Sequence, residues 1–333
     1  MSYSCLEELQ VDLDLHALDK TSILSKAGCK YDDGWLVVTN DGICHLFDKD
    51  GNLDDIKKIT QLKEEYIRKD ITKIVIPDSV ISIGHEAFFN CSGLMSVTIP
   101  SSVTSIRERA FYGCSGLTNV TIPNSIISIG DSAFSNCSGL MSVTIGNSVK
   151  SIGDSAFYGC YNMTSVIIPN NVTSIGDYVF EYCSGLTSVT IGNGVKDVGE
   201  EAFAYCSGLT SVTIGSSVIN IGNGAFSECS SLSSITISNS VTNIEDYAFS
   251  SCRGLTSIMI PDLVTCIGMG AFAGCTNLTS VTIPDRVTDI GWDVFYKCDA
   301  LANLAFKCKT LEQVKKMVGY PWGIEDESII RVG

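Results

Sequence analysis

Leu94-Met95-Ser96-Val97-Thr98-Ile99-Pro100-Ser101-Ser102-Val103-Thr104-Ser105-Ile106-Arg107-Glu108-Arg109-Ala110-Phe111-Tyr112-Gly113-Cys114-Ser115-Gly116 is one copy of a unit that returns every 23 residues. Aligned copies place Phe at 88, 111, 134, 157, 180, 203, 226, 249, 272 and 295, with Ala before it except at Val179 and Val294. Three residues further on stands a cysteine: Cys91, Cys114, Cys137, Cys160, Cys183, Cys206, Cys229, Cys252, Cys275 and Cys298. Ten full units fill residues 71–300, and an eleventh begins at Leu301-Ala302-Asn303-Leu304-Ala305-Phe306 and breaks off. A fixed period of this length is the signature of stacked coils, since no single unit can bury its own apolar face.

Within the unit, Leu94, Val97 and Ile99 mark a short strand. Val97 and Ile99 share a face by two-residue alternation, and Leu94 turns inward at the strand's entry. Val103 and Ile106 mark a second short extended piece, closed by glycine in many copies (Gly130, Gly153, Gly176). The Ala-Phe-x-x-Cys stretch reads as a helical or 3-10 return. Each coil thus sends Leu, Val, Ile, Val, Ile, Ala, Phe and Cys into one core, and the coils join through a parallel sheet. The chain has 15 cysteines. The ten in register read as small hydrophobes with a weak donor, because parallel side-chain vectors on neighbouring coils suit a disulfide poorly.

These residues resemble the BspA-like class of leucine-rich repeats, whose unit carries Leu, Ile, Ile-Pro, Val, Ile-Gly, Ala-Phe and Cys at these spacings. Leu278-Thr279-Ser280-Val281-Thr282-Ile283-Pro284-Asp285-Arg286-Val287-Thr288-Asp289-Ile290-Gly291 follows it nearly position by position, and the similarity runs from Ile71 to about Phe306. The resemblance implies an α/β-type repeat solenoid: a right-handed leucine-rich-repeat stack with a parallel β-sheet and short helical or 3-10 returns. It also implies attachment, adhesion and protein interaction, often on bacterial surfaces.

The ends differ in kind, which suggests three regions. Residues 1–70 form a non-repeat cap (hairpin plus helix), 71–300 the repeats, and 301–333 a partial repeat with a C-terminal cap. Trp35 to Phe47 reads as a hairpin turning at Asn40-Asp41-Gly42, and Leu53 to Ile67, with Ile56, Ile59, Leu62 and Tyr66 apolar, as an amphipathic helix. Leu311 to Val318 reads as a short helix, Tyr320-Pro321-Trp322-Gly323 as a turn, and Ser328 to Val332 as a last strand. Both segments are expected to cover open sheet edges.

A formal net charge of −15 argues against nucleic-acid binding, which needs cations to displace counterions, and against docking on anionic lipid. No apolar run is long enough to insert into a membrane. Met1-Ser2-Tyr3-Ser4-Cys5-Leu6-Glu7-Glu8 lacks the basic start and apolar core of a signal peptide. The sequence therefore suggests a cytoplasmic protein, with cell-surface or extracellular placement by a non-classical route as the alternative.

A search for chemistry returns little. His16, His45 and His85 have no Cys or carboxylate at metal-ligand or triad spacing. Ser92, Ser115, Ser138 and Ser184 copy one backbone position between units, whereas catalysis needs a single site. Asp48-Lys49-Asp50-Gly51-Asn52 opens like a calcium loop, but its twelfth position is Ile59. No catalytic residue, metal or cofactor is expected, and the chain reads as a non-catalytic binding or scaffold protein for a protein or glycan ligand. An adhesin or carbohydrate-binding module is the alternative.

Two candidate faces stand out. The outward strand column Thr98, Thr121, Thr144, Thr190, Thr213, Thr236 and Thr282, broken by Ile167 and Met259, is either a solvated sheet face or a hydroxyl array for a repetitive ligand. Tyr112, Tyr158, Tyr182 and Tyr205, just before the cysteines, are either binding anchors or shields over the return. Asp131, Asp154, Asp177 and Glu200 recur as either a solubilising edge or a strip for a basic partner.

Overall fold

A computed structural model describes residues 28–31, 34–38, 43–48, 58–59 and 71–333 apart from 77 and 79. The chain divides into two compact units, Met1–Val149 and Lys150–Gly333, each a β-solenoid built of the same coil. In the first unit, Asn119–Ile122 lies parallel to Ser142–Ile145, with Asn119 opposite Ser142 and Ile122 opposite Ile145. Lys73–Val75 pairs with Ser96–Thr98 in the same way. In the second unit, Ser165–Ile168, Ser188–Ile191, Ser211–Thr213 and Ser234–Thr236 pair in parallel. So do Ser257–Met259, Ser280–Ile283 and Asn303–Phe306. Each of these registers is one 23-residue period, so each strand residue meets its own copy, and Val and Ile point inward while Ser and Thr point out. A second parallel ladder joins two-residue strands such as Ser105–Ile106 with Ser128–Ile129 and Asn220–Ile221 with Asn243–Ile244.

The returns are turns, not the helical or 3-10 segments that the Ala-Phe-x-x-Cys spacing suggests. The amides of Ala110, Tyr112 and Cys114 donate within their own coil to Arg107, Arg109 and Phe111. The intervening amides of Arg109, Phe111 and Gly113 donate to Asp131, Ala133 and Ser135 of the next coil, at 2.9, 2.7 and 2.8 Å. A helix would keep all of these bonds inside one coil. Sending alternate amides outward needs two left-handed residues per return, here Arg109 at φ 54° and Gly113 at φ 71°. Glycine and asparagine tolerate that conformation best, and Asn90, Asn136, Gly159 and Gly274 occupy the second position in other coils. The return is therefore a third ladder between coils.

Two side chains lock this ladder. The phenylalanines are fully buried and stack in file, with ring centroids 5.1 Å apart for Phe111–Phe134 and 5.2 Å for Phe180–Phe203. The cysteines beside them are free and buried. Along the column, thiols donate to the carbonyl of the preceding coil's phenylalanine: Cys137 Sγ to Phe111 O at 3.2 Å, Cys206 Sγ to Phe180 O at 3.2 Å, Cys229 Sγ to Phe203 O at 3.2 Å. That carbonyl also accepts its own coil's cysteine amide, as in Cys206 N–H to Phe203 O. A small apolar side chain with one weak donor suits this place. Burial pushes the Cys206 and Cys229 thiols up, and the Cys298 thiol to about 12, so these three are held as neutral thiols and are poor nucleophiles.

At the N-terminal side, Gly34–Val38 and Ile43–Asp48 pair antiparallel as the expected hairpin strands, and Gly28–Tyr31 adds a third. Ile43–Asp48 then pairs in parallel with Lys73–Val75, which continues the first sheet. The helix expected over 53–67 meets a correction at its centre. Lys58–Ile59 is a strand that pairs with Ser82–Ile83, with Ile59 opposite Ile83, and the rest of that stretch lies outside the described residues. So do the turn at 40–42 and residues 49–52 of the calcium-like loop.

At the C-terminal side, Asn303–Phe306 completes one more strand. A short helix, Leu311–Lys315, starts from a capping box between Thr310 and Gln313. Trp322 is fully buried against Phe306, with ring centroids 5.4 Å apart. Its carbonyl accepts from Phe295 N–H at 2.9 Å, the bond that a further coil would otherwise supply. Ile330–Val332 then pairs with Asn303–Phe306.

Phe203 packs between Phe180 and Phe226, so its truncation leaves a void with stacked rings on two sides. Phe203→Ala is expected to cost roughly 3–5 kcal/mol in urea unfolding followed by circular dichroism. A loss below about 1 kcal/mol would show that the ring file does not carry the core's stability.

Candidate binding faces

The strand face follows from the alternation. Val189 and Ile191 are buried, so Thr190 between them points to solvent. The candidate threonines Thr98, Thr121, Thr144, Thr190, Thr213, Thr236 and Thr282 are all exposed. Register sets Thr121 opposite Thr144, Thr190 opposite Thr213, and Thr213 opposite Thr236, about one strand spacing of 4.8 Å apart. Ile167 and Met259 stand in the same column, 68% and 83% exposed. A neighbouring column is structural instead: Thr187 Oγ1 donates to Thr164 O at 2.9 Å and Thr210 Oγ1 to Thr187 O at 3.0 Å.

The four candidate tyrosines divide between the two units, one in the first and three in the second. Tyr112, in the first unit, is half-buried, stacks on Phe89 at 5.0 Å, and accepts from Asn136 Nδ2 at 2.9 Å. Tyr158, Tyr182 and Tyr205 meet in the second unit. Tyr158 stands edge-on to Tyr182 at 5.6 Å, and Tyr182 stacks on Tyr205 at 4.6 Å with planes 9° apart. Tyr182 and Tyr205 occupy the left-handed position two residues past the phenylalanine, at φ 61° and 58°.

The recurrent carboxylates also resolve. Asp154 Oδ1 accepts from Asp177 N–H at 2.9 Å, Asp177 Oδ1 from Glu200 N–H at 2.8 Å, and Asp246 Oδ1 from Met269 N–H at 2.6 Å. These side chains tie consecutive coils together, a role the sequence reading had not weighed. Among the described residues, no group of three or more His, Cys, Asp or Glu could hold a metal ion. None of the described helices is long and apolar enough to cross a membrane.

A family model for the BspA type leucine rich repeat region matches residues 63–187, 107–229 and 173–303. The chain belongs to the BspA-type leucine-rich-repeat family. Among solved structures it is similar to a leucine rich cell surface protein of Faecalibacterium prausnitzii A2-165, with 27% identity, coverage of 87% of this chain and 97% of that one, and a TM-score of 0.44. A leucine-rich repeat protein of Bacteroides ovatus ATCC 8483 is 26% identical over 92% and 99% of the two chains, with a TM-score of 0.42. The pneumococcal vaccine antigen PcpA is 20% identical over 86% and 88%, with a TM-score of 0.49. No curated protein matches the chain.

Within this BspA-type array, sequence reasoning missed Glu181. It follows Phe180 directly, where the other coils carry Phe89, Tyr112, Ser135, Tyr158, Ala204, Ser227, Ser250, Ala273 or Tyr296. A lone carboxylate in a neutral column was the available signal. Glu181 is only 7% exposed, and burial, then the charge of Glu201 and a hydrogen bond with it, pushes its carboxyl up to about 7. Between the ordinary carboxylate range and that value, the folded chain holds a proton that the unfolded chain has lost. Stability from this group therefore falls as pH rises through the window and levels off above it. Glu181→Gln is expected to stabilise the fold at pH 8 by on the order of 1–3 kcal/mol in urea titrations, with little change at pH 4.5. Equal shifts at both values would mean that this carboxyl does not titrate across the window.

Proposed function

We propose that the chain is a non-catalytic binding scaffold whose repeat surface engages another protein. The observation that carries this reading is the strand face. Its register holds side chains in straight exposed columns, and Ile167 and Met259 place apolar surface in water where neighbouring coils use threonine. A long, regular exposed face suits a protein contact, and apolar groups on it are desolvated when a partner covers them. The aromatic file Tyr158-Tyr182-Tyr205 offers a second contact of large area and few rotatable bonds. A carbohydrate-binding or adhesin role is the second reading, favoured by the in-register hydroxyls of Thr190, Thr213 and Thr236.

The test is affinity capture on the immobilised full-length chain, from producer lysate and from outer-surface extracts, with bound protein and sugar identified separately. Thr190→Glu with Thr213→Glu is expected to weaken capture at least about tenfold while leaving the circular dichroism unchanged, because both charges would meet the desolvating surface. Undiminished capture would remove the strand face from the interface. Enriched glycan without protein would establish the carbohydrate reading instead, and the fraction supplying the ligand separates a cytoplasmic from a surface role.

A further inference from the structure

Charge is distributed unevenly along the chain. Residues 151–252 hold nine carboxylates against a single base, Lys196. Lys196 precedes the short strand Asp197–Val198 on the second ladder, so none of the returns between 153 and 229 carries a Lys or Arg. It is in these returns that the tyrosine file stands. Tyr182 and Tyr205 stack at 4.6 Å, and Tyr205 is 40% exposed. Glu181 hydrogen-bonds with Glu201 beside them, and Glu228 follows Tyr205 in the next coil of the same column.

We infer that the Tyr182–Tyr205 stack, with the Glu181–Glu201 pair beside it, seats the guanidinium or ammonium group of a basic segment in the protein partner. This rests on the binding-scaffold reading and names the partner's chemistry at one place. Three observations converge on it. The faces of aromatic rings attract cations, and a guanidinium plane stacks on tyrosine while reaching a carboxylate with its N–H groups. The two carboxyls sit side by side with no base in the surrounding returns to neutralise them, so one incoming cation removes the repulsion between them. Finally, Tyr182 and Tyr205 hold a left-handed backbone that glycine or asparagine fills with less strain in other coils. The return itself does not ask for these rings, which points to a role for the side chains.

The experiment uses the full-length chain with ¹³C-labelled tyrosine rings, titrated at pH 7.5 with an end-blocked tetra-arginine peptide. Tetra-serine and maltohexaose serve as comparison ligands. Saturable shifts at Tyr182 and Tyr205 are expected with the arginine peptide alone. Affinity is expected to fall at least about fivefold in Glu181→Gln/Glu201→Gln and in Tyr182→Asn/Tyr205→Asn, the latter using the residue already at Asn90 and Asn136. Glu108→Gln/Asp131→Asn removes two charges from the first unit and is expected to leave affinity within about twofold. Absence of shifts at these two rings, an equal loss in the first-unit variant, or shifts produced by maltohexaose in place of the arginine peptide would each overturn the inference. The capture experiment with the strand-face variant reports on the scaffold reading alone, so the two failures are distinguishable.

Discussion

Everything in this fold depends on one constraint: each coil must match its neighbour in register all the way round. Two strand ladders supply part of that match, and the return supplies the rest by sending alternate amides to the next coil. The phenylalanine carbonyl is the point where these demands meet, since it accepts the cysteine amide of its own coil and the cysteine thiol of the next. Once that arrangement is set, a residue's neighbours are its own copies one period away. A period of 23 residues can then barely slip, because an insertion in one coil would break three ladders and the ring file together.

Much of this was legible in the sequence. Stacked coils, inward Val and Ile, outward Thr and Ser, and a cysteine acting as a small hydrophobe with a weak donor all follow from periodicity and residue type. The C-terminal helix, turn and strand were placed within a few residues. The returns were misread because Ala, Phe and Cys fall at helix-like spacing, while what forbids a helix is the backbone sign at residues such as Ser132 and Asn136. Recurrent Gly and Asn two residues past the phenylalanine were the available clue. Lys58–Ile59 was misread for a related reason, since two residues in a strand leave no period to detect.

The candidate surfaces were less legible than the fold, for a physical reason. Repetition makes core and surface equally regular, so column conservation within the chain cannot separate a binding face from a solvated one. Departures from the columns are more informative. Ile167 and Met259 interrupt the threonines, and Glu181 interrupts a neutral column in the middle of an aromatic file. The contact of Tyr158 with Tyr182 and Tyr205 joins consecutive coils across two neighbouring columns, one and two residues past the phenylalanine, so reading down a single column does not reveal it.

The most direct measurement is amide hydrogen exchange resolved to single residues across one return, for example Gly199 to Leu209. If the return is an inter-coil ladder, Phe203 and Tyr205, which donate to the next coil, will be protected as strongly as Val189 and Val212 in the strands. Exchange of Phe203 and Tyr205 at the rate of open turns, with protection confined to the strands, would contradict the account.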